Sequence, residues 1–276
     1  MVPKDNRSAP RRCFFCAVEG RTLTEEHVFP NWLRKRGING VGTREFVSPD
    51  GSTRLQTGGP FNKTAKIVCG ICNNGWMSAL ENEAKPLLET LFSATDASQV
   101  TLDDSAQLCL AKWAFKTAAV LTQVDERAPT KPWFPQSARR EFRKTGQLPS
   151  NTFICIGAGS VSNRQLGLQL GEFQHQPQQV QVRVDGTVTE TAPAYVSRFR
   201  LLNVVFEIFG MESATLEITV QPSDDLNRML LQVWPPKHEK LWWPPVSLDA
   251  IGGIDGLLKV PVVGIPTQQP PTTKES

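Results

Sequence analysis

Nowhere in these 276 residues does an apolar run approach the roughly 20 residues that a membrane-crossing helix needs. Mean hydropathy is -0.27 and 21% of residues are charged, values suited to a chain whose surface faces water. The opening residues, MVPKDNRSAPRRC, are basic but lead into no apolar stretch, which argues against a secretory leader. These absences predict a cytoplasmic protein with no membrane partner. Signature loops are missing too. There is no P-loop and no serine elbow, and GAGSVSNRQLG follows a predicted strand without fitting G-x-G-x-x-G. No internal repeat is visible. Histidine is scarce: there are three, and His27 alone lies in the first half.

Six cysteines are too few to staple a chain of this length by disulfides. Their placement is informative. Cys109 and Cys155 sit in apolar surroundings, LCLAKWAF and FICIG, as small buried hydrophobes do. The other four form two C-x-x-C pairs, Cys13/Cys16 and Cys69/Cys72. In such a pair the two-residue gap lets both thiolates face one ion, and two pairs complete a tetrahedral four-thiolate zinc site. Unrelated thiol pairs or a redox motif are the competing explanation. A plain zinc ribbon separates its pairs by about 15–20 residues, whereas here residues 17–68 intervene. That insert is long enough for a β-hairpin and carries His27.

Charge is uneven. Residues 1–80 hold twelve Lys and Arg against six Asp and Glu, while the whole chain is only +3. A basic first third favours a polyanionic partner, although many basic faces are merely solvated. RTLT predicts a strand running into Glu25-Glu26-His27-Val28-Phe29-Pro30. Pro30 suits the first turn of a short helix, NWLRKR. TREFV predicts a strand within a hairpin and long loop over 38–62. After KIVC, a helix carries Trp76, Leu80, Ala84, Leu87 and Leu91 on one stripe, with Pro86 expected to break it. Further helices are predicted at 104–122 and 136–145, the second bearing Arg139, Arg140, Arg143 and Lys144. Beyond residue 150, alternating segments such as QVQVRVDG and YVSRFRLLNVVFEIF predict strands.

Taken in order, Cys13-x-x-Cys16, Glu26-His27-Val28-x-Pro30 and Cys69-x-x-Cys72-Asn73 resemble the HNH endonucleases of the ββα-metal fold. The form matched is the zinc-stapled one, C-x-x-C, (D/E)-H-(I/V)-x-P, C-x-x-C-N opening a helix, and its core is similar to that of phage recombination endonucleases. The resemblance covers about residues 13–82. It implies a metal-dependent hydrolase of phosphodiester bonds in nucleic acid, with DNA as the expected substrate. It implies His27 as general base, Glu26 and Asn73 as ligands of a catalytic Mg²⁺ or Mn²⁺, and a structural zinc on the four cysteines. Two positions depart from the pattern. Glu replaces the usual Asp, with Glu25 as a competing neighbour. Thr64 holds the place of the family's middle asparagine, and Asn62, two residues earlier, is the candidate catalytic residue that would orient His27 instead. Arg34, Lys35, Arg36, Lys63 and Lys66 are the expected phosphate contacts.

The fold expected is α+β. It comprises a disordered arm (1–12), an HNH module (13–92), a helical connector (93–150), a mostly antiparallel β domain of unassigned role (151–265) and a disordered tail (266–276). Self-association is left open. Three alternatives stand beside the catalytic reading. A helix N-cap is the competing reading of Asn73. The module would also suit a zinc-bound DNA- or RNA-binding adaptor that does not cut. A third alternative is that the module mainly serves a C-terminal domain that senses a ligand or partner. His175, in a Gln-rich stretch expected to be a loop, and His238 read as structural or surface residues. Trp234-Pro235-Pro236 and Trp242-Trp243-Pro244-Pro245 read as sheet core, with base stacking as the competing role.

Overall fold

A computed structural model describes residues 12–35, 42–47, 53–58, 64–95, 97–123, 134–159, 173–184, 187–212, 217–221, 223–257 and 263–267. It mixes helix and sheet, as expected. The N-terminal part contains β1 (Leu23–His27), α1 (Asn31–Lys35), β2 (Gly42–Val47), β3 (Thr53–Gly58) and β4 (Thr64–Cys69). Next come the single turn α2 (Gly70–Cys72), a π-helical turn (Asn73–Met77) and the long helix α3 (Ser78–Ser93). β5 (Val100–Asp103), α4 (Asp104–Leu121) and α5 (Gln136–Thr145) lead to the sheet strands β6 (Thr152–Ala158), β7 (Phe173–Val184), β8 (Thr187–Leu201) and β9 (Val204–Met211). The chain closes with β10 (Glu217–Gln221), α6 (Asp224–Met229), β11 (Leu230–Trp234), β12 (Lys240–Trp243), α7 (Gly253–Leu257) and β13 (Val263–Thr267).

Seven strands form the main sheet in the order β11-β6-β9-β8-β7-β2-β3, antiparallel throughout except where β2 runs parallel to β7. The β2–β3 hairpin of the insert therefore extends this sheet. β9 is buried at all eight positions, the mark of a strand covered on both faces. On one face Phe206 packs against Trp113 of α4, and on the other Val205 meets Leu226, Met229 and Leu248.

Helix α4 lies at the centre. Asp103 caps it, accepting from Ala106 N at 2.8 Å. Fourteen of its 18 residues are buried, because the helix is apolar nearly all round. One buried cluster runs from Cys13 to Trp243, so the segment expected to connect two units supplies the middle of the core.

Three expectations are corrected. Pro86 does not break α3, which runs from Ser78 to Ser93. Pro86 and Asn82 both face solvent, so the Asn82 carbonyl released by the missing N–H can bond water. His175 lies on β7, buried, and not in a loop. Pro266 and Thr267, expected in the disordered tail, pair with β10 as part of β13; ladder partners far away in sequence leave no local signal.

Candidate metal centre and adjacent site

The first cysteine knuckle folds on backbone bonds: Ala17 N donates to Cys13 O at 2.8 Å and Cys13 N to Val18 O at 3.3 Å. Ala17 sits at φ +58°, the left-handed conformation that turns the loop back. Phe14 N donates to Ile67 O at 2.8 Å, which clamps the knuckle onto β4. The second knuckle begins at Cys69, the last residue of β4, and closes through α2. The sulfurs of Cys13, Cys16, Cys69 and Cys72 all lie within 4.8 Å of one another. Those of Cys16 and Cys69 are 3.8 Å apart. A tetrahedron with metal–sulfur bonds of about 2.3 Å has an edge of about 3.8 Å, so the group could hold a metal ion such as zinc.

The four thiols differ in acidity: those of Cys13 and Cys69 are held down, while those of Cys16 and Cys72 are pushed up. A hydrogen bond from Cys72 and the Cys69 N–H, at 3.3 Å, hold the Cys13 thiol down to about 4 against the opposing effect of burial. The same Cys13–Cys72 bond pushes the Cys72 thiol up, because Cys72 keeps the proton. Arg21 places Nη1 3.9 Å from Cys16 Sγ and 3.8 Å from Cys69 Sγ, setting a positive charge beside them.

β1 and β4 pair antiparallel, with His27 opposite Thr64 and Glu25 opposite Lys66. A bulge at Thr24/Glu25 interrupts the register. Asn73 reaches back to it, donating from Nδ2 to Thr24 Oγ1 at 3.0 Å and to Glu25 O at 3.1 Å. Two strands and the helical segment behind the second cysteine pair are thereby tied together. Strand alternation puts Glu25 and His27 on one face, exposed and half-buried respectively, and turns Glu26 to the other. There Glu26 is buried, 3.6 Å from Lys116 Nζ, which also bonds Glu81 Oε1 at 2.6 Å. Burial pushes the Glu26 carboxyl up to about 7, against the pull of Lys116.

The structure thus brings the four cysteines together and joins Asn73 to β1, while it separates Glu26 from the face that His27 shares with Glu25. Lys66 is exposed on β4. Asn62, Lys63, Arg36 and the side chains of Arg34 and Lys35 lie outside the described residues. Cys109 is buried, and burial pushes its thiol up to about 12. His238 is exposed, and its carbonyl accepts from Gln107 Nε2 at 3.1 Å. Trp243 is fully buried, donating from Nε1 to Leu91 O at 3.1 Å, whereas Trp242 is exposed.

Lys116, Glu81, Arg21 and Arg139 were not singled out for these roles by the sequence. Lys116, inside the mostly apolar stretch WAFKTAAV, was the available sign of a buried ion pair. Arg139 is buried and donates to Phe134 O at 3.0 Å and to Phe14 O. Its guanidinium lies 3.7 Å from the centre of the Phe14 ring.

Compared with protein-family models, curated proteins and solved structures, the chain matches none.

Proposed function

We propose that this chain is a metal-dependent HNH-type endonuclease that hydrolyses phosphodiester bonds in nucleic acid, with DNA as the substrate. The observation that carries the reading is the Asn73 side chain, which ties the helical segment behind the second cysteine pair to β1 at Thr24 and Glu25, three and two residues before the strand ends at His27. That order of strand, strand and helix is the arrangement the resemblance implies. The zinc on the four thiolates is structural, since a closed thiolate shell leaves no place for water.

His27 takes a proton from the attacking water on a ring nitrogen, the role of a general base. Asn73 offers Oδ1, which takes no partner among the described residues, and Glu25 offers an exposed carboxylate on the same face as His27. These oxygen donors suit Mg²⁺ or Mn²⁺, which supplies Lewis acidity at the scissile phosphate when bound. Glu25 replaces Glu26 in this role because Glu26 is engaged by Lys116.

One observation favours a second reading, a zinc-bound nucleic-acid adaptor without cleavage: the carboxylate directly before His27 faces the interior. A single assay separates the two. Wild type and His27→Ala, matched for zinc content, are incubated with plasmid, single-stranded and branched DNA in Mg²⁺ or Mn²⁺. The nuclease reading expects cutting by wild type alone, and equal inactivity of both forms on every substrate would support the adaptor.

A further inference from the structure

Helix α5 has two faces. Arg139 and Phe142 turn inward, whereas Ser137, Arg140, Glu141 and Lys144 follow the i, i+3, i+4, i+7 spacing of one solvent-facing stripe, with Arg143 beside it. This outer face and the first cysteine knuckle enclose a cleft of about 510 Å³. Arg21, Arg140, Arg143 and Lys144 line it against a single acid, Glu141. Arg21 is held there by the sulfurs of Cys16 and Cys69. The three cations of α5 are exposed, and among the described residues none is within ion-pair distance of a carboxylate.

We infer that this cleft, between the first cysteine knuckle and α5, is a binding site for the phosphate backbone of a nucleic acid. Helix-dipole complementarity accounts for cations in the last turn of α5, where Arg143 and Lys144 sit. It does not account for Arg140 in the second turn, or for Arg21 from a different part of the chain. A cleft with four cations from two segments and one acid fits a polyanion. Guanidinium groups also match phosphate oxygens in pairs. The site lies outside the β1–β4 unit. At most about 20 Å of chain separates Arg21 from His27, or about six steps of duplex, so one bound strand can span both. The inference rests on the proposed function for its nucleic-acid partner but not for cleavage.

The test is binding of labelled duplex DNA by the full-length protein without divalent metal, measured by fluorescence anisotropy between about 50 and 200 mM salt. Single-stranded DNA and single-stranded RNA of the same length are parallel arms. The variant carries Arg140→Ala, Arg143→Ala and Lys144→Ala, all exposed positions. Losing three phosphate contacts should make the slope of log K against log salt shallower by about 2.7 on duplex. Over that salt range, wild-type affinity should then fall about 40-fold more than that of the variant. Glu141→Gln should bind more tightly than wild type.

An unchanged slope in the triple variant overturns the inference, as does failure of wild type to bind any of the three polyanions. Metal-dependent cutting retained alongside an unchanged slope overturns the cleft alone and leaves the nuclease standing. A lost slope in a protein that never cuts supports the cleft and removes the nuclease.

Discussion

Lys116 Nζ lies 2.6 Å from Glu81 Oε1, with the lysine side chain wholly buried in α4. Glu26 Oε1 stands 3.6 Å from the same nitrogen. One ammonium therefore offsets two carboxylates between β1, α3 and α4. Removing it leaves the acids facing each other without a counter-charge. Lys116→Ala should lower stability by about 3–5 kcal/mol. Lys116→Met combined with Glu26→Gln and Glu81→Gln should recover most of that loss, because the charges disappear together. Urea unfolding of both variants measures the difference. Equal losses in the two would show that packing, not charge, dominates.

Glu26 also sets a pH dependence. Its carboxyl is pushed up from 4.5 to about 7, chiefly by burial. Between those values the unfolded chain has released the proton while the folded one keeps it. Stability from this group is thus fully present below about 4.5 and is lost as pH rises to about 7, by about 1.4 kcal/mol per unit. Glu26→Gln, which has no proton to lose, should gain on wild type as pH rises from 5 to 8. The check is the difference in unfolding free energy at the two ends, measured without divalent metal. A constant difference would contradict it.

His175 acts in the opposite sense. Its Nδ1 hydrogen-bonds with Ser197 Oγ, and its ring stacks with Phe134 and Tyr195 at centroid distances of 5.8 and 6.4 Å. Burial pushes the imidazole down to about 3. Below pH 6.5 the unfolded chain takes a proton that the folded one refuses. Stability present above 6.5 is therefore lost as pH falls towards 3, again by about 1.4 kcal/mol per unit. Over pH 4.5–6.5 the Glu26 and His175 slopes oppose each other, so wild type alone shows little of either. His175→Asn should be less stable at neutral pH but have an acid limb shallower by about one proton.

What could be read from the sequence was what local spacing encodes. The C-x-x-C pairs, the strand running into His27, and the helices at 104–121 and 136–145 follow from turn chemistry and from periodicity near 3.6 or 2. What could not be read depended on distant partners. Nothing in TREFV says that its strand will run parallel to β7, more than a hundred residues later. Glu26 was expected as a metal ligand from its place before His27, and its partner Lys116 comes from a helix some ninety residues later. The sequence places Arg139 in a row of surface cations, yet the backbone oxygen it takes belongs to Phe14, 125 residues earlier.

That Arg139–Phe14 contact links α5 to the knuckle of the four-cysteine cluster. Phe14 and Phe15 lie between Cys13 and Cys16, so a metal on the sulfurs fixes both rings and the Phe14 carbonyl. Phe15 meets Trp76 edge-on at 5.0 Å, and Trp76 meets Phe142 of α5 at 5.5 Å. Purified protein should carry about one zinc per chain, held by four thiolates. Stripping it with a strong chelator should loosen the knuckle and release α5. Amide hydrogen exchange should then speed up over residues 136–145, with β6 and β9 still protected. Arg139→Ala leaves buried carbonyls without a donor and should cost about 2–4 kcal/mol with zinc bound. With zinc removed the cost should shrink, because the Phe14 carbonyl is no longer held in place. If that cost is the same with and without zinc, the knuckle and α5 are independent and the coupling is absent.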